Sequence, residues 1–309
     1  MTAIPVYEAT RATKAGSELS APDTKAGKLQ RACLALLQEH KREGTIPTNG
    51  RFLFYELEQD GKVAKAYFKP DGTKRVREPR QDVSVALMDL RKLGLIPWEW
   101  IVDETREVVS WQSAASVHQY VIEAARDARI DCWGGRPAPL VICEARSTKG
   151  VLQRITSEYL APITATNGQC GGFLVTDVVP LLRDNDRPVL YIGDHEIGGP
   201  ADHIEDNPRR SIEEHAERDI DWMRIALTQA QVDADPRLLR LVISKTDRRT
   251  KPPRSYNAVE CEAVGQVMLE RILRYALDRL LPEPLDAVRV REDAERIAVV
   301  ELLSNGGRL

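Results

Sequence analysis

Leu140-Val-Ile-Cys-Glu144 and Val189-Leu-Tyr-Ile-Gly-Asp194-His-Glu196-Ile-Gly-Gly199 are the two stretches on which the fold turns. Each opens with four consecutive apolar residues, the pattern of a short strand buried on both faces. Around and beyond them the pattern alternates. A helical periodicity runs from about Val151 to Tyr159, a short apolar run covers Ile163 to Thr166, and a second helical pattern runs from about Phe173 to Leu182. Leu238 to Ile243 reads as a further buried strand. Strands alternating with helices predict a parallel sheet flanked by helices, whose ligands gather beyond the carboxyl ends of the strands. Glu144 and Asp194 fall at that place, and Glu196 follows two residues later. Oxygen ligands of this kind select Mg²⁺ or Mn²⁺ over zinc, and such an ion neutralises charge on a phosphodiester. Gly198-Gly199 would let the backbone approach a phosphate closely. A strand-end acid taken alone equally serves as a helix cap or a solvated surface group. The spacing of Glu144 against Asp194-x-Glu196 is the more specific signal.

The N-terminal half has a different rhythm. Leu29, Cys33, Leu36 and Leu37 recur at helical spacing before Gly44, which predicts a helix over 28–43. Thr48 and Asn49 can cap a second helix from Arg51 to Gln59, ended by Asp60-Gly61. Val83, Ala86, Leu87, Leu90 and Leu93 mark a third, stopped at Gly94, and Ile96 to Trp111 alternates like a hairpin around Asp103-Glu104. Three helices and a hairpin are the order of a winged helix, whose third helix commonly lies on DNA; Arg80, Arg91 and Lys92 would then meet phosphates. A three-helix packing module that touches no DNA has the same pattern. Trp98 and Trp100 read as core, with a base-stacking platform as the alternative. Residues 113–130 predict a linking helix, and Cys132 to Pro139, with Gly-Gly and two prolines, reads as the domain boundary. The expected organisation is an arm over 1–27, a helical domain over 28–112, a linker over 113–138 and an α/β domain over 139–309 that closes with two helices.

Composition sets limits on the chemistry. The chain has 309 residues, 42% hydrophobic, 29% charged and 6% aromatic, which excludes a disordered or membrane-spanning class. Its N-terminal residues lack the apolar core of a signal peptide. Five scattered cysteines argue against a disulfide framework or a structural zinc site, so the expected compartment is the reducing cytoplasm, with association with the nucleoid if DNA is the partner. Net charge is −3, but it is uneven: nine basic residues face four acidic ones between Lys62 and Lys92, and ten acids face three arginines between Asp194 and Asp221. Ordinary solvated surfaces account for both runs as well as binding does.

At the strand-end acids the sequence resembles the Toprim domain of topoisomerases, primases and some nucleases. The likeness rests on Leu140 to Glu144, on Asn167-Gly168-Gln-Cys-Gly171 and on Val189 to Gly199. Toprim domains carry Asp-x-Asp where this chain has Asp194-His-Glu196, so the last ligand is a longer carboxylate. Arg51-Phe-Leu-Phe54-Tyr55 is similar to the Arg-x-x-aromatic-Tyr motif of the topoisomerase VI A subunit and the related meiotic double-strand-break protein, which place a CAP-like winged helix before a Toprim domain. Further likenesses are Arg91 to Asp103 and Val259-Glu260-Cys-Glu262-Ala. The chain carries no ATPase region and most resembles the compact, stand-alone Mini-A relatives.

The resemblance implies a homodimer on double-stranded DNA that uses Mg²⁺ or Mn²⁺. Tyr55 of one subunit would face Glu144, Asp194 and Glu196 of the other, with an ATPase subunit as a possible partner. Tyr55 would attack phosphorus, and Arg51, one turn earlier, would help its phenol ionise, which otherwise happens only near pH ~10. Tyr55 can equally be a packed helix residue, in which case the acids would make a hydrolytic nuclease, or the chain a DNA-binding subunit that cuts nothing alone. Arg146 and Lys149, close behind Glu144, are candidates for a phosphate contact, or for plain surface. His195, between two ligands, is expected to point away from them. Glu260 and Glu262 fit a helix start, where the helix dipole accounts for them.

Overall fold

In a computed structural model the described residues are 18–75, 78–102, 112–166, 171–197, 205–247 and 254–305. The chain divides into two compact units between Val102 and Asp103. It is mixed α/β, and no helix among the described residues is long and apolar enough to cross a membrane.

Among its described residues the first unit holds three α-helices, α1 (Lys25–Glu43), α2 (Gly50–Gln59) and α3 (Pro79–Lys92). Leu29, Cys33 and Leu37 from α1, Phe52, Leu53 and Leu57 from α2, and Val83, Ala86, Leu87 and Leu90 from α3 form its core. The helix ends follow local chemistry. Asn49 accepts from the N–H groups of Arg51 and Phe52 at 2.9 and 3.1 Å, and Gly44 closes α1 with the left-handed backbone that glycine adopts without strain. Pro79 opens α3 at its first turn, four residues before the first apolar position the periodicity detects. His40 meets Thr45 and Glu56 at 2.7 Å through its two ring nitrogens and ties α1 to α2. The expected hairpin is different in its described part. Trp98–Trp100 is a 3₁₀ turn and Ile101 makes one bridge to Thr48, while the expected turn at Asp103-Glu104 and the rest of the hairpin lie outside the described residues.

The second unit is built on a four-stranded parallel sheet in the order β2-β1-β3-β5: β1 (Leu140–Cys143), β2 (Ile163–Ala165), β3 (Val189–Ile192) and β5 (Trp222–Ala226). All four residues of β1 and of β3 are buried, which is why they read as unbroken apolar runs. On one face Leu140, Ile142, Val189 and Tyr191 pack with α6 and with Ile212 and Ala216 of α7 (Asp206–Ala216). The α6 segment runs through Gly171–Phe173, Leu174–Val178 and Val179–Leu182, and its middle piece is wound as a π-helix. Pro180 has no N–H to return to the preceding turn, which accounts for the widening. Helix α5 (Arg146–Glu158) lies against β1 and β2.

A second, antiparallel sheet follows the order β4-β7-β6, from β4 (His195–Ile197), β6 (Ile243–Asp247) and β7 (Arg254–Val259). The strand expected over Leu238–Ile243 is mostly a 3₁₀ turn, Leu238–Leu241, led into by a tight turn in which the Leu238 N–H donates to the Asp235 carbonyl at 3.0 Å. A short apolar run alone does not distinguish such a buried turn from a strand. Between β5 and β6 lies the short helix α8 (Gln229–Ala234); the chain ends in α9 (Gln266–Leu280), packed on α5 and β5, and α10 (Leu285–Ser304).

The expected linker belongs inside this second unit. Helix α4 (Val117–Asp127) packs on α10, and the segment after it is pinned down: the Ile130 N–H donates to Glu292, and Cys132 and the Trp133 indole both donate to the Tyr159 carbonyl. The Gly- and Pro-rich stretch at 132–139 is therefore a connection anchored by the buried Cys132 and Trp133, with residues 134–137 exposed, and the division of the chain comes some thirty residues earlier.

A candidate metal centre at the strand ends

Glu144 leaves β1 with its N–H still donating to Ile192 of β3 at 2.8 Å, so it begins at the edge of the ladder. Beyond β3, Gly193 is held by β5: its N–H donates to Ala226 and its carbonyl accepts from Leu227, each at 2.8 Å. That frame delivers Asp194, whose own N–H donates to Oε2 of Glu144 at 3.0 Å. Arg224 of β5 supports the same turn by donating to the carbonyls of Gly193, Asp194 and Leu227.

The Asp194 carboxylate is 6% exposed. Its Oδ1 accepts from the Cys261 N–H at 2.8 Å and its Oδ2 accepts from the Lys245 ammonium. Cys261 and Glu262 come just past the end of β7. Glu262 is fully buried, and its Oε1 accepts from the Ser147 hydroxyl at 2.6 Å. Ligand atoms of Asp194, Cys261 and Glu262 all lie within 4.8 Å of one another, so this cluster is able to hold a metal ion.

The electrostatics agree with the crowding. Burial, and then the neighbouring Asp194, push the Glu144 carboxyl up to about 7. Burial, then Glu262 and Asp194, hold the Cys261 thiol well above its ordinary range. Burial works against the Lys245 ammonium, yet Asp194 and Glu144 together raise its pKa.

This arrangement revises the residues read from the sequence. Asp194 is a member of the cluster. Glu144 is bound to the backbone of Asp194 and adds its charge without entering the cluster. Glu196, buried in β4 opposite Ala258, is not a member either; Cys261 and Glu262 take the places expected for Glu144 and Glu196. Lys149 is half-buried in the first turns of α5. His195 meets Gln229 at 3.1 Å at the surface.

In the first unit, Tyr55 is 3% exposed, with its ring edge-on to Phe54 at 5.3 Å between centroids, and Arg51 is half-buried one turn before it. Arg80 and Lys92 are exposed on α3. Arg91 differs from them: its guanidinium donates to the carbonyls of Trp98 and Ile101 and lies 5.2 Å from the centre of the Trp98 ring. It clamps the 98–101 turn, so its expected phosphate contact gives way to a structural role. Trp98, expected in the core, is 55% exposed beneath that guanidinium.

Sequence reasoning missed Lys245 and set aside Glu262. The signal for Glu262 was present, because Glu260-Cys261-Glu262 follows a strand just as Asp194-His195-Glu196 does. Lys245 had no signal once its strand was placed several residues early. No family model, curated protein or solved structure matches the chain.

Proposed function

We propose that the protein binds DNA and cleaves it with Mg²⁺ or Mn²⁺ in the manner of the topoisomerase VI A subunit, by transesterification at Tyr55. The observation that carries this reading is the convergence of acids from three strand ends: Glu144 after β1, Asp194 after β3 and Glu262 after β7, joined through the Asp194 backbone and Cys261. Asp194 and Glu262 would hold the cation, with Glu144 beside them. Carboxylates are the donors a hard divalent ion prefers, and the Cys261 sulfur makes Mn²⁺ the better fit of the two. Bound there, the ion would supply charge neutralisation to the phosphodiester.

The chain's own residues do the rest. The exposed Arg80 and Lys92 of α3, in the winged-helix reading of the first unit, contact backbone phosphates. The Tyr55 oxygen forms a bond to phosphorus as the bond from phosphorus to the 3′ oxygen breaks. The phenolic proton passes to solvent and the leaving oxygen takes one back, which leaves a 5′-phosphotyrosyl link and a 3′-hydroxyl. The Toprim reading of the second unit and a homodimeric assembly belong to the same proposal.

The burial of Tyr55 favours a second reading, in which the tyrosine is structural and water attacks the phosphorus at the same acid cluster. Denaturant trapping on labelled duplex with Mn²⁺ tests both. Transesterification leaves a covalent adduct that Tyr55→Phe removes, whereas hydrolysis leaves free ends and survives that substitution. Binding without any cleavage across a range of Mg²⁺ and Mn²⁺ would overturn both and leave a DNA-binding subunit.

A further inference from the structure

Lys245 sits where a cation would. It reaches from β6 to Oδ2 of Asp194, with its side chain 24% exposed. The other oxygen of Asp194 is already taken by the Cys261 N–H, so Oδ2 is the oxygen through which this carboxylate would meet an ion. Glu144 and Glu262 lie to either side of Asp194 through its backbone N–H and through Cys261. Three acids gathered at a buried strand end repel one another, and an ammonium among them offsets part of that cost. The ammonium is also suited to leaving. A lysine stem is flexible and carries a point charge, so it can swing aside without disturbing the β6–β7 pairing at Lys245 and Tyr256. A divalent ion brings twice its charge to the same oxygen.

We propose that Lys245 is the resident counter-ion of the cluster: it holds Oδ2 of Asp194 until a divalent cation displaces it, and the freed ammonium then meets the phosphate that the cation has drawn in. The inference rests on the reading of the cluster as a cation site, and it assigns Lys245 two successive partners, a carboxylate and then a phosphate. The clearest consequence concerns the protein without DNA. A lysine that competes with the cation weakens cation binding, so its removal strengthens it.

Mn²⁺ is titrated by calorimetry into the full chain as wild type, Lys245→Met, Lys245→Arg and Asp194→Ala. Loss of one positive charge beside the ion should tighten Mn²⁺ binding about tenfold in Lys245→Met, while Lys245→Arg, which keeps the charge, should stay within about threefold of wild type. Asp194→Ala should lose most of the binding. Mn²⁺ affinity in Lys245→Met equal to or below wild type, with Asp194→Ala weakened, overturns the displacement and leaves the cation site standing. Equal affinity in wild type and Asp194→Ala removes the cation site and the inference with it. A measurement on the unaltered chain guards against misfolding of a variant. Amine-reactive labelling of Lys245, read by peptide mass spectrometry, should speed up several-fold when Mn²⁺ is added, because the ammonium gives up its carboxylate partner; an unchanged rate overturns the inference.

Discussion

The hydroxyl of Ser147 donates to Oε1 of Glu262 at 2.6 Å and joins the first turn of α5 to the end of β7, more than a hundred residues later in the chain. The bond fixes one carboxylate oxygen of a fully buried glutamate and leaves the other facing Cys261. Through it the helix that follows β1 positions a group delivered by the second sheet.

Glu262→Ala should therefore weaken Mn²⁺ binding by at least about tenfold, as expected when a direct ligand is lost, and Glu196→Ala should do so by less than about threefold. Ser147→Ala should fall between them, since it frees the ligand without deleting it and costs about 1 kcal/mol in stability. Calorimetric titration of the three variants checks the order. A larger loss in Glu196→Ala than in Glu262→Ala would restore the ligand set first read from the sequence.

Gly193 shows how closely the approach to Asp194 is packed. A Cβ there would lie 2.6 Å from the Tyr191 hydroxyl oxygen and 2.7 Å from the ring atom Cε1, and Tyr191 is fully buried. The ring cannot yield without moving Trp222, whose ring centre lies 5.5 Å away. Gly193→Ala should cost about 1–3 kcal/mol, the usual penalty of overfilling a core, and lower Tm by several degrees. Calorimetric melting of the variant within half a degree of wild type would show that the ring has room.

How much of this was legible depended on which residues carry a local signal. β1 and β3 were readable to the residue because burial on both faces leaves no polar position in Leu140–Cys143 or Val189–Ile192. Helix α2 was readable because Asn49 is a chemical start signal, an N-terminal cap. β5 was not, since Trp222-Met-Arg-Ile-Ala226 is an edge strand, half-covered, with Arg224 in its middle. The second sheet was hidden for a similar reason: β7 alternates polar Ser255 and Asn257 with residues of mixed character. The cluster itself joins Asp194 to Cys261 across 67 positions, a closeness that pairing of β4 with β7 creates and that no local pattern encodes. Arg91 was misassigned because its charge is visible in sequence but the carbonyls of Trp98 and Ile101 that absorb it are not.

Glu158 at the end of α5 accepts from Arg274 of α9 through both carboxylate oxygens at 2.8 Å and from Arg289 of α10 at 3.0 Å. The hydrogen bonds from Arg274, then those from Arg289, bring its carboxyl down to about 2 from 4.5. A lowered folded-state value means stability that is fully present above the unfolded value and lost as pH falls toward the folded one. Glu158→Gln should thus cost on the order of 1–2 kcal/mol at pH 7, after allowance for solvent screening of a site 23% exposed. The difference from wild type should shrink between about pH 4.5 and pH 2. Urea unfolding at several pH values measures it, and a deficit independent of pH would assign the loss to packing.

Glu144 works in the opposite direction. Burial and then Asp194 push its carboxyl up from 4.5 to about 7, so between those values the folded chain holds a proton that the unfolded chain has released. Stability from this group is therefore greatest below about 4.5, declines as pH rises toward 7, and stays low above it. Glutamine at this position resembles the protonated acid, and its carbonyl can still accept from the Asp194 N–H. Glu144→Gln should accordingly raise the stability of the metal-free protein at pH 8 by on the order of 2 kcal/mol and leave it unchanged near pH 4. Added Mn²⁺ should reverse the ranking at pH 8, because the ion offsets the charge that wild type carries there and the variant lacks it. The same proton makes cation binding itself pH-dependent: Mn²⁺ affinity of wild type should drop as pH falls through 7, and that of Glu144→Gln should be flatter across the interval. Thermal melting with and without Mn²⁺ at pH 4, 6 and 8 supplies every comparison. A wild type more stable than Glu144→Gln at pH 8 without metal would mean that Glu144 is held as a comfortable carboxylate by a partner, and the strained acid cluster proposed as the cation site would lose its electrostatic basis.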